Sequence, residues 1–396
     1  MLSTGIQKAE SSASGREDAN QESRPKTSRR RFLRETTAGA ALGGAALTAG
    51  CTGSNVIGGG GSSTTTITMG YQPFGTPYWS ELVVKHGKLI EKYTDGLSGN
   101  YEVKWQSALQ GSIIGNRMMA GKNQAGYNGD MPTILALAND KKPISMIGLS
   151  SWSMGQQCNL VITPQGSGIE KAKDLDGAKV AATSGGCSQR FLLSLQDYEN
   201  IEVNYVDQDV NTILANIRKG KLDAGVMWEP NPTMAVVQYE AADWVVTGAP
   251  YNDPDIGALT MTDSFMNDHH EAAKAVMKAE LTAKHIMKTD QKRTLDLVKK
   301  ENDLGKFDRK TVKAAMYVNI PTNPDVKKMH FATDLRKIEP AKKLLEETDP
   351  KFLKKHGDIE KAPGKDRYNF SLLDEAASEL SSSVDWNPHD TKVTSS

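Results

Sequence analysis

The sequence predicts an α/β protein with two lobes, closed by a mainly helical C-terminal stretch. Three observations carry this reading. From Ile67 to about Ala249, short strand-like runs alternate with helix-like runs in two successive sets. Past Asp263 the apolar residues change to the three- and four-residue spacing of long amphipathic helices. The 396 residues, less an N-terminal leader, suit two domains of ~100–200 residues each.

The first element in chain order is that leader. Residues 1–27 are polar and poor in aromatics, the composition of an extension without fixed structure. Ser28-Arg29-Arg30-Arg31-Phe32-Leu33-Arg34 then precedes a weakly apolar run, Thr36 to Gly50, that stops at Cys51. A membrane-spanning helix needs ~20 predominantly apolar residues, and this run is shorter and built mostly of Ala, Gly and Thr. Gly39, Gly43 and Gly44 would each weaken a helix interior by ~1 kcal/mol. A basic segment, a short apolar one and small residues before a cut site describe an export signal over residues 1–50. The Arg29-Arg30 segment resembles the twin-arginine export motif, with Arg34 where lysine is common, which implies export of a folded protein. Leu47-Thr48-Ala49-Gly50-Cys51 resembles a lipobox, with Thr48 where leucine is usual, which implies a lipid on Cys51. Residues 51–66 hold a Gly/Ser/Thr tract that reads as a flexible linker. A lipid, a linker and a folded body describe a protein tethered at the outer face of the cell membrane. Two acyl chains are needed for stable anchoring.

Basic and acidic residues are equal at 48 each. Eight of the basic and five of the acidic ones fall in residues 1–50, which leaves 40 against 43. A body so close to neutral offers no electrostatic case for nucleic acid or for an acidic membrane. Cysteine is sparse, with Cys51, Cys158 and Cys187. If Cys51 carries lipid, an oxidising outer compartment can join the other two.

In the body, ITMGY, YEVKW, QAGYN and ISMIGL read as strands, with YWSELVVKHGKLIEKY, GSIIGNRMMAGK and MPTILALAND as the helices between them. NLVIT, AKVAAT, IEVNYV, DAGVMW and DWVVTG form a second set of strands, served by the helices GCSQRFLLSLQDY and VNTILANIRKGK. Such alternation predicts parallel sheets. MNDHHEAAKAVMKAELTAKHIMKT and TLDLVKKENDL read as long amphipathic helices. After about Ile338 the chain is charged, with short helices in AKKLLEE and SLLDEAASEL.

Ligands bind open α/β sheets outside the carboxyl ends of the strands. The loops at those ends run from Gln72 to Trp79, where Thr76 and Pro77 suit a helix start, from Ser107 to Ser112, from Gly129 to Thr133, and from Ser150 to Trp152. In the second set they are Thr183 to Ser188 and Trp228 to Asn231. Helix N-termini converging there would offer unpaired N–H groups to an anion.

At these residues the chain resembles the solute-binding proteins of ABC importers for nitrate, sulfonates, taurine and related small solutes. GYQPFGTPYWSELV, GYNGDMPT, DLDGAKVAATSGG and LDAGVMWEPNPTMAV carry the resemblance, which spans roughly residues 67–335. It implies a periplasmic-binding-protein type II-like fold. Lobe I would comprise residues 67–152 and 250–337, lobe II residues 153–249, and residues 338–396 a charged extension. The chain would cross near Ser150–Gln157 and return near Thr247–Asn252. The resemblance also implies an extracytoplasmic receptor that hands a small solute to a permease with its ATPase, without catalysis, cofactor or metal.

The candidate ligand contacts are Gln72, Phe74, Tyr78, Trp79, Gly111, Asp130, Trp152, Ser184, Gly185, Gly186, Trp228 and Glu229. Asp130 reads equally as a contact or as the cap of the helix it opens, and Glu229 as a contact or a solvated carboxylate. Phe74, Tyr78, Trp152 and Trp228 suit a pocket floor or a core. Backbone at Gly185-Gly186 can approach a ligand closely. Cys158 begins a strand just after the crossover and Cys187 follows the next strand, so if those strands run antiparallel both approach the cleft edge, where a Cys158–Cys187 disulfide is expected. His269-His270 read as a surface pair. The same fold hosts pyrimidine-synthesis enzymes of the thiamine pathway, whose cysteine-rich motif is absent here. There is no GxSxG turn, and Ser184 has no recognisable base. A sensory or structural surface lipoprotein is the remaining alternative. Helix N-termini favour an anion, whereas Asp130 and Glu229 call for a positive or hydrogen-bond-donating partner. A zwitterion such as an amino-sulfonate, or an aminopyrimidine-like heterocycle, therefore ranks ahead of nitrate.

Overall fold

A computed structural model describes residues 64–73 and 79–388. Arg29, Arg30, Cys51, Phe74 and Tyr78 lie outside the described residues. The strands are β1 (Thr64–Tyr71), β2 (Asn100–Ser107), β3 (Ala125–Gly129), β4 (Ile144–Ser153), β5 (Leu160–Pro164), β6 (Lys179–Ala182), β7 (Asn204–Asp207), β8 (Ala224–Met227), β9 (Ala242–Thr247) and β10 (Asp255–Thr262). They form two five-stranded sheets, ordered β2-β1-β3-β10-β4 and β7-β6-β8-β5-β9. One sheet forms the centre of each of two lobes, and the chain passes between them through residues 154–159 and 248–254. The α/β, two-lobed class read from the sequence is the one observed.

Both sheets are mixed, where parallel ones were expected. β10 runs antiparallel to β3 and β4, and β5 runs antiparallel to β8 and β9. The reason is geometric. β5 and β10 are the strands that follow each crossing, so each starts at the cleft, where its parallel neighbours end, and must run against them. β10 was not foreseen from the sequence at all. All eight of its residues are buried, which removes the inside–outside alternation that marks a strand.

Helices flank the sheets. The first expected helix is broken into α1 (Ser80–His86) and α2 (Leu89–Thr94), because Gly87 caps the first and Lys88 takes a left-handed conformation, φ 50°. Lobe I continues with α3 (Gly111–Met119) and α4 (Asp130–Leu137), and lobe II carries α5 (Cys187–Glu199) and α6 (Val210–Arg218). After β10 come α7 (Asp263–Asp268), α8 (His270–Thr289), α9 (Gln291–Val298) and α10 (Arg309–Tyr317), followed by α11 (Glu339–Lys343), α12 (Asp349–His356) and α13 (Ser371–Ser381). α8 presents Ala272, Val276, Leu281 and Ile286 to the lobe I core and packs on α1, α2 and α13. The C-terminal segment thus folds back on lobe I, and α12 lies against α4. No helix among the described residues is long and apolar enough to cross a membrane.

The two crossings touch. Gly248 N donates to Gly155 O at 3.2 Å and to Asn159 O at 2.9 Å. Gly155 holds φ +64°, and a Cβ there would lie 2.3 Å from Gly248 Cα. Backbone packed on backbone leaves no room for any side chain at this point.

Candidate interlobe site

A cavity of about 50 Å3 lies between the lobes at the carboxyl ends of the strands. Lobe I contributes Gln72, Gly111 and Asp130 to its wall, and lobe II contributes Cys158, Trp228 and the turn from Thr183 to Cys187. Three helices, α3, α4 and α5, begin at this wall, and none has a side-chain cap from its N-cap residue. Their first-turn N–H groups and dipoles make the cavity attractive to an acceptor or anionic group.

Asp130 opens α4 and is buried. Its Oδ1 accepts the Met131 N–H at 2.7 Å and its Oδ2 lies 3.4 Å from Arg190 Nη2. Asp130 thus bonds the first turn of the helix it opens and also pairs with Arg190, a partner the sequence did not suggest. Arg190, on α5, is 1% exposed and is the centre of a larger cluster. Its Nη1 meets Asp253 Oδ1 at 2.7 Å and its Nε lies 3.3 Å from Asp349 Oδ1. Four chain segments meet here: lobe I, lobe II, the returning crossing and the C-terminal α12. Burial works against the Arg190 charge, but Asp253, Asp349 and Asp130 outweigh it and raise its pKa. Burial pushes Asp130 up, with Arg190 opposing. Asp349 is pushed well above the usual carboxylate range by burial and by the charge of Asp130.

Glu229 does not line the cavity. It is fully buried and forms an ion pair with Lys328, and its Oε1 accepts the Thr233 hydroxyl at 2.6 Å. Lys328 also bonds the crossing to its neighbour, since its backbone carbonyl accepts Gln157 Nε2 at 2.8 Å. Of the two carboxylates that argued for a positively charged solute, Glu229 already has its cation within the protein. Asp130 faces both Arg190 and the cavity.

The remaining candidates divide clearly. Gln72, Gly111, Ser184, Gly185, Gly186 and Trp228 come together at the cavity. Trp79 is fully buried in the lobe I core. Trp152 stacks on His330 at 4.3 Å, away from the cavity wall. In the glycine turn, Gly185 N donates to Gln189 Oε1 at 2.8 Å and Ser184 N to Asp207 Oδ1 at 2.9 Å. Two of the N–H groups expected to greet a ligand thus already bind the protein's own side chains. His270 Nε2 meets Glu375 Oε2 at 2.7 Å on the surface. Among the described residues no cluster of three or more His, Cys, Asp or Glu is placed to hold a metal ion.

The expected disulfide is not formed: Cys158 and Cys187 are free, buried thiols. They meet in a hydrogen bond, which together with burial pushes the Cys158 thiol well up. Disulfide exchange requires the thiolate, and this environment disfavours it. The strand argument itself holds: β5 runs antiparallel to β6, with β8 between them, and both thiols reach the cavity wall without joining.

The residues that sequence reasoning missed are the partners: Arg190, Lys328, Asp253, Asp255 and Asp349. Arg190 left one signal, a charged residue three positions from Cys187 in a helix whose buried face carries Phe191, Leu192 and Leu195. An arginine so placed requires a buried carboxylate.

Residues 115–293 match the family described as NMT1/THI5 like. No curated protein matches the chain. Among solved structures it is similar to the periplasmic aliphatic sulphonate binding protein SsuA from Escherichia coli, with TM-score 0.61 and 16% identity over 76% of this chain and 91% of that one. It is similar to the periplasmic nitrate-binding protein NrtA from Synechocystis, with TM-score 0.59 and 11% identity over 83% and 93%. It is also similar to the desulfurization enzyme DSZB, with TM-score 0.58 and 14% identity over 80% and 99%. What they share with this chain is the two-lobed fold.

Proposed function

We propose that this chain is the extracytoplasmic solute-binding protein of an ABC importer, held at the membrane by a lipid on Cys51. The observation that carries the reading is the interlobe cavity at the strand carboxyl ends, walled by both lobes in a fold shared with sulphonate- and nitrate-binding proteins. Asp130 is the only ionisable oxygen acid in the described wall, and no lysine or arginine lines it. A bare inorganic anion would meet the helix N-termini but also the Asp130 carboxylate. A solute with an acceptor end for α3 and α5 and a donor end for Asp130 suits the wall better, as a taurine-like zwitterion does. The aminopyrimidine alternative draws on the NMT1/THI5-like match and on Trp228, which offers an aromatic surface beside Asp130.

Thermal-shift and calorimetric titrations with taurine, alkanesulfonates, nitrate and aminopyrimidines test the reading. The cognate class should raise the melting temperature, by the equivalent of about 2.7 kcal/mol at a hundredfold excess over Kd. Asp130→Asn should weaken that binding. Tight nitrate binding that ignores Asp130→Asn would exclude a donor-bearing solute, and silence from every small solute would favour a surface lipoprotein without transport. The anchor is tested separately. Arg29/Arg30→Lys should block export and Cys51→Ser should release the protein from membranes. Normal export of the double-lysine variant would remove the twin-arginine assignment.

A further inference from the structure

Where the two lobes, the returning crossing and the C-terminal segment join, four buried ionisable groups meet and their charges do not balance. Asp130 and Arg190 are each 1% exposed, Asp253 is 4% exposed and Asp349 is 0% exposed. One guanidinium thus faces three carboxylates, and full ionisation would leave two negative charges away from water. A carboxylate so placed takes up a proton rather than remain charged.

The hydrogen bonds show which one. Asp253 Oδ1 accepts Arg190 Nη1 at 2.7 Å and Asn159 Nδ2 at 3.3 Å. Asp130 accepts the Met131 N–H and faces Arg190 Nη2. Asp349 accepts no hydrogen bond at either oxygen, and its contact with Arg190 Nε at 3.3 Å is one of charge alone. The charged groups facing it are Asp130 from α4, Arg190 from α5 and Asp253 from the crossing, and Tyr368 feels its charge. Asp255 and Cys158 act on Asp130, and Tyr198 on Asp253 and Arg190. On α12 and the turn before it, Glu346, Glu347, Lys351 and Lys354 are exposed to solvent.

The cluster spans the cleft. Asp130 belongs to lobe I, as does α12, which packs on α4. Arg190 belongs to lobe II and is tied to the crossing through Asp253 and through the Pro254 carbonyl at 3.4 Å. Rotation of the lobes about the crossings would leave Arg190 with Asp253 and draw it away from Asp130 and Asp349, so that water reaches both.

We propose that this cluster is a proton-operated latch between the lobes: the Asp349 carboxylate takes one proton from solvent as the lobes close and returns it as they part. In the open form Asp349 titrates as an ordinary aspartate, near ~3.9. In the closed form burial and the charge of Asp130 raise its pKa well above that. The closed form therefore binds the proton more tightly. Its advantage is full below pH ~4 and is lost as pH rises through the raised value, with the closed-to-open ratio falling about tenfold per pH unit on the way. A solute in the cleft, on the function proposed above, is then held more firmly in acid, but the latch itself needs none.

The test is an electron–electron double resonance measurement on the solute-free full chain. Spin labels go on one exposed position of each lobe, Asp95→Cys and Lys219→Cys, in a Cys51→Ser background. Raising the pH from about 4 to about 8 should move population from a short to a long distance, by about tenfold per pH unit through the transition. Asp349→Asn, neutral at every pH, should hold the short distance throughout. Asp255→Asn should leave the native transition in place, although Asp255 also titrates, at about 6. The inference is overturned by distances that ignore pH, by an unchanged transition in Asp349→Asn, or by its loss in Asp255→Asn. A long distance that appears only with loss of the native circular dichroism signal is unfolding and overturns it too. Because no solute enters the measurement, its failure leaves the solute-binding reading standing, and failure of that reading leaves the latch.

Discussion

Arg190 is buried among Asp130, Asp253 and Asp349, and its removal would leave three carboxylates without a cation. Arg190→Leu should cost ~3–5 kcal/mol, the usual penalty for stranding a buried charge partner, read as a lower denaturation midpoint. Asp349→Asn should cost less than about 1 kcal/mol, because burial already favours the neutral form of Asp349 and Arg190 keeps two other partners. Equal losses in the two variants would mean that packing, not charge, holds the cluster. Asp255 gives the pH dependence. Its carboxylate accepts the Gln157 and Cys158 N–H groups and the Ser153 hydroxyl, yet burial raises its pKa to about 6. The folded state therefore binds this proton more tightly than an unfolded chain, whose aspartates titrate near ~3.9. The contribution is fully present below pH ~4 and is lost as pH rises through about 6, a cost of about 3 kcal/mol by neutral pH. The stability of Asp255→Asn relative to the native chain should rise over that window, and a pH-independent difference would refute the assignment. Asp130, Gly111 and the Ser184–Gly186 turn were legible in the sequence because they follow strands and open helices. Arg190 and Lys328 were not, since their partners lie many residues away and only folding brings them together.

Most strands announced themselves by composition, as ITMGY and NLVIT did for β1 and β5. β10 was hidden, being buried throughout and interrupted by Gly257. Helix ends were also partly hidden, as the split at Gly87-Lys88 illustrates: the apolar spacing runs on through it, and only the backbone turn separates α1 from α2. The crossings yield the prediction at this scale. Gly155→Ala would force a Cβ to 2.3 Å from Gly248 Cα at a positive φ, and should cost more than about 2 kcal/mol. Gly357→Ala, also at positive φ but with nothing within 4 Å, should cost about 1 kcal/mol. Chemical denaturation of the two variants compares strain plus collision with strain alone. A Gly155→Ala loss no greater than that of Gly357→Ala would show that the crossings can part without penalty.

For the molecule as a whole, the two sheets, their two connections and the cavity between them define a two-lobed body, and the C-terminal segment ties back into it. Asp349 of α12 reaches the Arg190 cluster, so the segment helps set the charge balance beside the cleft. Binding that draws the lobes together should reduce the radius of gyration in small-angle scattering, and α12 should move with lobe I, against which it packs. An unchanged scattering profile at saturating solute would mean that the lobes do not move on binding. The sequence by itself determined the α/β class, the two strand–helix sets and the loops that meet at the cleft, because periodicity and turn residues act over a few positions. Only the tertiary structure decided the antiparallel strand in each sheet, the free thiols, and which carboxylates are neutralised. Those outcomes depend on contacts between distant segments under burial, where the energy of a charge is set by its neighbours in space.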